Sequence, residues 1–140
     1  MELGKYIFCL FPVVFITMWV TIVFILAIIG GWSRLAQVYQ TQSGFNGQKW
    51  SFKSGRMGIT NYNGVLTIGV NERGLYLAVL FLFRIGHPPL FIPWYDITTS
   101  NSRKFFFSYL DFKFARVPSV TFSVPEKLGD SLLSYRTDLG

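Results

Sequence analysis

The chain has 140 residues, a formal net charge of +6, a hydrophobic fraction of 51% and a single cysteine, Cys9. That length leaves room for one small domain beside an anchor, and a lone cysteine excludes an internal disulfide or a zinc or iron–sulfur site built on cysteine. The surplus of Lys and Arg suits an anionic surface: cytoplasmic-leaflet lipid, an acidic protein or nucleic acid.

Tyr6 to Ile29 carries no charge. As a helix it measures roughly 36 Å at 1.5 Å per residue, and ~20 residues suffice to cross a hydrocarbon core. Its polar groups are the hydroxyls of Thr17, Thr21 and Tyr6, and helical hydroxyls bond to carbonyls of the preceding turn. Pro12 falls early, where a kink is tolerable in a membrane helix. Tyr6 and Trp32 flank the run as amphipathic rings do at headgroup depth, which makes them the expected interface anchors. The apolar core is too long for a secretory signal and no small-x-small cleavage site follows. Residues 1–32 therefore read as an uncleaved transmembrane anchor. Lys5 before the span opposes Arg34 and the more distant Lys49 and Lys53 after it, a thin excess that puts the C-terminal domain in the cytoplasm.

Residues 33–48 read as a juxtamembrane helix and linker. Gly30-Gly31 ends the first helix. Trp32, Leu35, Ala36 and Tyr39 then fall at helical spacing, either along the headgroups or against the domain. Thr41 to Gln48 is polar and glycine-rich.

Residues 49–140 read as a mainly-β domain. From Lys49 the period switches to two, with Trp50 and Phe52 on one face and Lys49, Ser51 and Lys53 on the other. Asn61-Tyr62-Asn63-Gly64 offers a hairpin turn, Val65 to Val70 a strand, and Asn71 to Gly74 a second turn. Leu75 to Arg84 is a strand apolar on both faces, hence central, covered or close to lipid. Ile85 to Pro89 is a proline loop. Leu90 to Ile97 is a strand whose Pro93 demands an edge or bulge, and Thr98 to Lys104 a polar loop. Phe105 to Phe114 and Ser119 to Val124 are further strands, the former with Phe106, Leu110, Phe112 and Phe114 inward and Phe105, Phe107 and Tyr109 outward. Ser123-Val124-Pro125-Glu126 has the form of a capping box, opening a helix to about Tyr135 with Leu128, Leu132 and Tyr135 on one stripe.

Short strands closed by one amphipathic C-terminal helix describe a small bent sheet or barrel plugged at one end. At Gly74-Leu75-Tyr76-Leu77 and Phe91-Ile92-Pro93-Trp94-Tyr95-Asp96-Ile97 the chain resembles the pleckstrin-homology-like superfamily, especially its GRAM-type and bacterial PH-like members. In these, G-L-Y-L opens a strand, I-P-W-x-D-I ends the next and a helix caps the barrel. Residues 55–97 are also similar to a group of uncharacterised bacterial membrane proteins. The resemblance implies a binding scaffold for lipid headgroups or protein surfaces. The chain departs from the phosphoinositide-binding pattern, because its first hairpin has only Lys49, Lys53 and Arg56 as basic residues.

No constellation for chemistry stands out. His87 is the only histidine and a general base wants an orienting partner; Asp96 is the nearest acid in sequence. With one histidine and no usable cysteine, no catalytic metal or cofactor is expected. Nucleophile elbows and phosphate-binding glycine loops are absent from the sequence. Three patches bear on binding. Lys49, Lys53 and Arg56 are the candidate lipid or anion site. Phe105, Phe107 and Tyr109 form one candidate protein interface, and Phe81, Phe83, Leu90 and Phe91 around the His87 loop another, which also has the character to dip toward lipid or be buried in the core. Nucleic acid fits poorly, because the charges are scattered, and no small-molecule substrate is expected. The expected function is non-enzymatic: a single-pass accessory or adaptor subunit packed on a larger membrane protein complex. An anionic-lipid-binding module is the alternative, and a membrane-surface enzyme around His87 and Asp96 the third reading.

Overall fold

The computed structural model of the chain describes residues 2–41, 44–104 and 106–134; residues 2–7 and Lys104 are described by backbone alone. Helix α1 (Glu2–Gly30) contains Pro12 in its interior. Its section Phe8–Gly30, of mean hydropathy 2.8, is long and apolar enough to cross a membrane. Within it the Thr17 and Thr21 hydroxyls donate to the carbonyls of Val13 and Thr17, each at 2.8 Å, so neither is left dry and unpaired. Gly31, at φ +90°, breaks the helix, and α2 (Trp32–Tyr39) follows at once. A side chain at Gly31 would strike Val120, so glycine is required there for space as well as for conformation.

Seven antiparallel strands follow: β1 (Gln48–Met57), β2 (Thr60–Val70), β3 (Gly74–Val79), β4 (Leu90–Pro93), β5 (Ile97–Lys104), β6 (Phe107–Phe114) and β7 (Val117–Pro125). They form one open sheet in the order β4-β3-β2-β1-β7-β6-β5, whose two edge strands are consecutive in the chain and joined by a single 3-10 turn at Trp94–Asp96. Helix α3 (Glu126–Leu133) packs on β6 and β7, where Gly129 lets it come down onto Leu110. One core gathers Leu66, Ile68, Leu75 and Leu77 from one half of the sheet, Phe112, Phe114 and Phe122 from the other, and Trp32 and Leu35 from α2.

Several strand boundaries differ from the sequence reading, each for a local reason. The first hairpin turns at Gly58-Ile59, since Met57 pairs with Thr60 and Gly58 takes φ +59°. Asn63-Gly64 is instead a bulge inside β2, and the Gly64 N–H donates to Ser54 Oγ at 2.8 Å. A second irregularity, between Trp50 and Lys53, sets Phe52 at φ +57° and leaves it exposed, so Trp50 and Phe52 do not share a face. Strand β3 stops at Val79, where the chain tightens into a 3-10 turn at Phe81–Phe83. The polar stretch Thr98 to Lys104 is the edge strand β5, polar because little covers it. Phe106 lies in the turn beyond β5 and is exposed, not inward. The expected capping box does not form: Ser123 stays in β7 and gives its hydroxyl to Asp111 at 2.6 Å. Tyr135, placed by the sequence on the α3 stripe, lies outside the described residues.

Candidate functional site

The junction where α1 enters the domain is closely packed. Val23 and Ala27 are buried, one helical turn apart, and lead down to Gly30. A Cβ on Gly30 would lie 2.5 Å from Thr60 Oγ1, and one on Gly58 would lie 2.7 Å from the Gly30 carbonyl. The two glycines thus let the end of α1 rest on the β1–β2 turn. Thr60 Oγ1 also reaches the Leu26 carbonyl at 3.5 Å, and the Gly58 N–H donates to Thr121 O at 2.9 Å.

Trp32 lies directly below this contact. Sequence reasoning expected it at the headgroups; it is fully buried, its indole N–H donating to Pro88 O at 2.8 Å. The left-handed turn at Gly31 is the cause, because it redirects the chain into the domain one residue before the tryptophan. Trp32 lies 5.7 Å from the Tyr62 ring and 5.3 Å from His87, centroid to centroid. His87 is 1% exposed. Its Nδ1 is 3.1 Å from the Ile85 carbonyl, which can only accept, so Nδ1 carries the proton. Nε2 then holds the lone pair and accepts from the Tyr62 hydroxyl at 2.7 Å. Burial favours these neutral forms on both sides, pushing the imidazole pKa down and the phenol pKa up. His87 is therefore a staple for its proline loop.

Asp96 belongs to a different network, accepting from the Tyr39 hydroxyl at 3.0 Å and facing Arg116 at 3.8 Å. The Tyr39 oxygen in turn accepts the Arg116 N–H, tying α2 to the β6–β7 turn. The cavity beside Asp96, about 230 Å³, is not lined by His87. The two residues weighed as an acid–base pair are thus held in separate structural roles.

No known protein family, curated protein or solved structure matches the chain. Its own geometry carries the functional reading.

The basic residues Lys49, Lys53 and Arg56 do not converge. They are strung along β1, Lys49 and Arg56 being seven residues apart, at most roughly 23 Å at ~3.3 Å per residue. Lys49 Nζ sits over the rings of Phe45 and Tyr76, at 5.9 and 6.0 Å. Arg56 turns back to donate to Gly58 O at 3.0 Å. It lines a cleft of about 550 Å³ between the β1–β2 hairpin and β6–β7, with Asn61, Ser102, Tyr109 and Asp111. Asp111 accepts from both Ser102 and Ser123, so its charge is already engaged.

The aromatic candidates divide. Phe107 is exposed and Tyr109 half-buried on β6, whereas Phe105 lies outside the described residues. Phe91 is half-buried beside Phe45, ring centroids 6.3 Å apart. Phe81 is exposed, and Phe83 packs on Trp19 of α1 at 5.1 Å. The backbone of Tyr6 is helical, and its side chain lies outside the described residues. Sequence reasoning missed Trp19, whose indole N–H donates across the chain to the Leu82 carbonyl at 3.0 Å. The available signal was an N–H donor well inside an apolar run, away from either end, where tryptophan usually sits.

Proposed function

We propose that the chain is a single-pass membrane protein whose β domain has the PH-like form and acts as a non-enzymatic accessory or adaptor subunit on a larger membrane assembly. The carrying observation is the unequal covering of α1. Within Phe8–Gly30 only Val23, Ala27 and Gly30 are buried, and these are fastened to the domain. A helix serving as a soluble core would be covered all round; this one leaves most of its circumference for hydrocarbon or for neighbouring helices. Because its last turns join the domain core, the domain is held at a fixed angle to the span, as a docking part requires. The Lys and Arg excess after the span favours the cytoplasmic side for the domain.

Three features support the PH-like reading: Gly74-Leu75-Tyr76-Leu77 opens β3, Leu90–Pro93 runs into the Trp94–Asp96 turn, and α3 closes the sheet. The separation of Lys49, Lys53 and Arg56 disfavours a headgroup-specific site. The test is extraction of native membranes in mild detergent followed by sizing. The chain is expected to resist alkaline carbonate and to migrate with a larger assembly. Release by carbonate removes the membrane reading, and a clean monomer in mild detergent removes the accessory role.

A further inference from the structure

The loop after β3 carries Phe81, Leu82 and Ile85, 68%, 51% and 42% exposed, beside the half-buried Phe83. Such a run on a water-facing loop would be an exposed apolar patch with no covering. Its position along α1 is fixed by two contacts: the Trp19 indole donating to Leu82 O, and the Trp19 ring on Phe83. Gly86 packs on the same helix further down, against Phe24 and Ala27.

The depth of Trp19 follows from the sequence. Lys5 is charged and Gly30 ends the helix, so any ~20-residue span must be drawn from residues 6–29. Whichever window is chosen, Trp19 lies six to ten residues inside its domain-side end, roughly 9–15 Å at 1.5 Å per residue. The carbonyl that Trp19 holds lies at the same depth. Hydrocarbon admits non-helical backbone only where its polar groups are satisfied by protein. Here most of the loop's carbonyls are engaged within the protein. The carbonyls of Leu80, Phe81 and Arg84 accept from the amides of Phe83, Arg84 and His87. Leu82 O is taken by Trp19 and Ile85 O by His87. Arg84 turns its Nε back to Val79 O at 3.3 Å, so part of its donor capacity is spent on the end of β3.

We infer that the loop from Leu80 to Gly86 is a second membrane-embedded element, inserted among the acyl chains of the domain-side leaflet beside α1. This rests on the membrane reading above and adds a second point of immersion. Helix and loop together fix the tilt of the domain against the bilayer plane, which one spanning helix alone leaves adjustable. The occupant is hydrocarbon because the patch is continuous with the flank of the spanning helix.

The test uses the full chain with Cys9→Ser in vesicles of phosphatidylcholine and phosphatidylglycerol. Single cysteines are introduced as Leu82→Cys, Ile16→Cys or Ser100→Cys and labelled with an environment-sensitive fluorophore. The expected result is blue-shifted emission at positions 82 and 16, and water-like emission at 100. Quenching at 82 should be strongest from spin labels on the middle to lower acyl chain, and weakest from headgroup labels. Water-like emission at 82 with hydrocarbon emission at 16 overturns the loop insertion and leaves the anchor standing. Water-like emission at both positions overturns both. Trp19→Phe keeps the ring and removes the donor; it should move the position-82 probe toward the headgroup quencher. An unmoved probe shows that Trp19 does not set the depth and overturns the argument from it.

Discussion

The loop after β3 and the tip of the β5–β6 hairpin both set phenylalanines beside basic residues: Phe81 and Phe83 with Arg84 in the first, Phe106 and Phe107 with Arg103 in the second. In the first, backbone carbonyls are taken by Trp19 and His87, and Phe83 lies on the α1 helix. In the second, Phe106 is 90% and Phe107 65% exposed at the end of an edge hairpin. Similar residues thus do different work according to what holds the backbone beneath them. A loop whose carbonyls are engaged is better suited to hydrocarbon than a loop with bare ones, whereas a hairpin tip with bare rings has the character of a protein contact.

The contrast breaks most completely at Trp32. Trp32→Ala removes a fully buried indole and its bond to Pro88 O, and should destabilise the chain by about 3–5 kcal/mol. Thermal melting in detergent measures the loss. Amide exchange should rise first across residues 80–87, with the β5–β6 hairpin following only at global unfolding. Equal loosening of both loops would show that the staple is not local.

Acid tests the same staple without mutation. Burial holds the His87 imidazole below its ordinary pKa of 6.5, against the opposing pull of its bond to the Ile85 carbonyl. The unfolded chain therefore binds the proton more readily than the folded one. Stability from this group is intact above about pH 6.5 and is lost as pH falls toward the lower folded value, by at most ~1.4 kcal/mol per pH unit for one proton. A protonated Nε2 also has no use for the Tyr62 hydroxyl as a donor. Melting temperature against pH should fall in this range, and His87→Asn should flatten that part of the curve. Smaller still is Trp19→Phe, which deletes one hydrogen bond worth about 0.5–1.5 kcal/mol; its melting point should drop by less than that of Trp32→Ala.

The long apolar helix, the C-terminal helix and the inward positions Leu110, Phe112 and Phe114 of β6, with the inward face of β7, were legible because each is written in one local period. Val120, Phe122 and Val124 alternate and are all buried, as their spacing implies. Boundaries failed where a distant residue decided them. Asn63-Gly64 has the chemistry of a turn, but Gly58 turns first and the later pair is absorbed as a bulge against Ser54. Leu75 to Arg84 reads as one strand until Val79, where pairing with Leu66 runs out and α1 takes the loop. Trp32 sits at the expected place for a headgroup anchor and is withdrawn by the backbone conformation of Gly31. His87 and Tyr62 are 25 positions apart, and nothing local to either announces their bond. The junction is a product of tertiary contact, which a one-dimensional pattern does not carry.

The smallest expected change in stability is also the sharpest test of the division between the two loops. Phe106 and Phe107 are exposed, so Phe106→Ser with Phe107→Ser should alter the melting temperature little, within about 0.5 kcal/mol per site. If the hairpin tip is where a partner docks, the same pair should abolish co-migration with the larger assembly, since exposed rings at the centre of an interface often dominate its energy. Phe81→Ser with Ile85→Ser should show the reverse pattern: the assembly persists, but the position-82 probe moves toward the headgroup quencher. Loss of the assembly in the second pair and not the first would exchange the two assignments. The β3 loop would then be the protein contact, and the hairpin tip would need a different occupant. The two double variants thus separate a lipid-facing loop from a protein-facing one, with the fold itself nearly unchanged in the first.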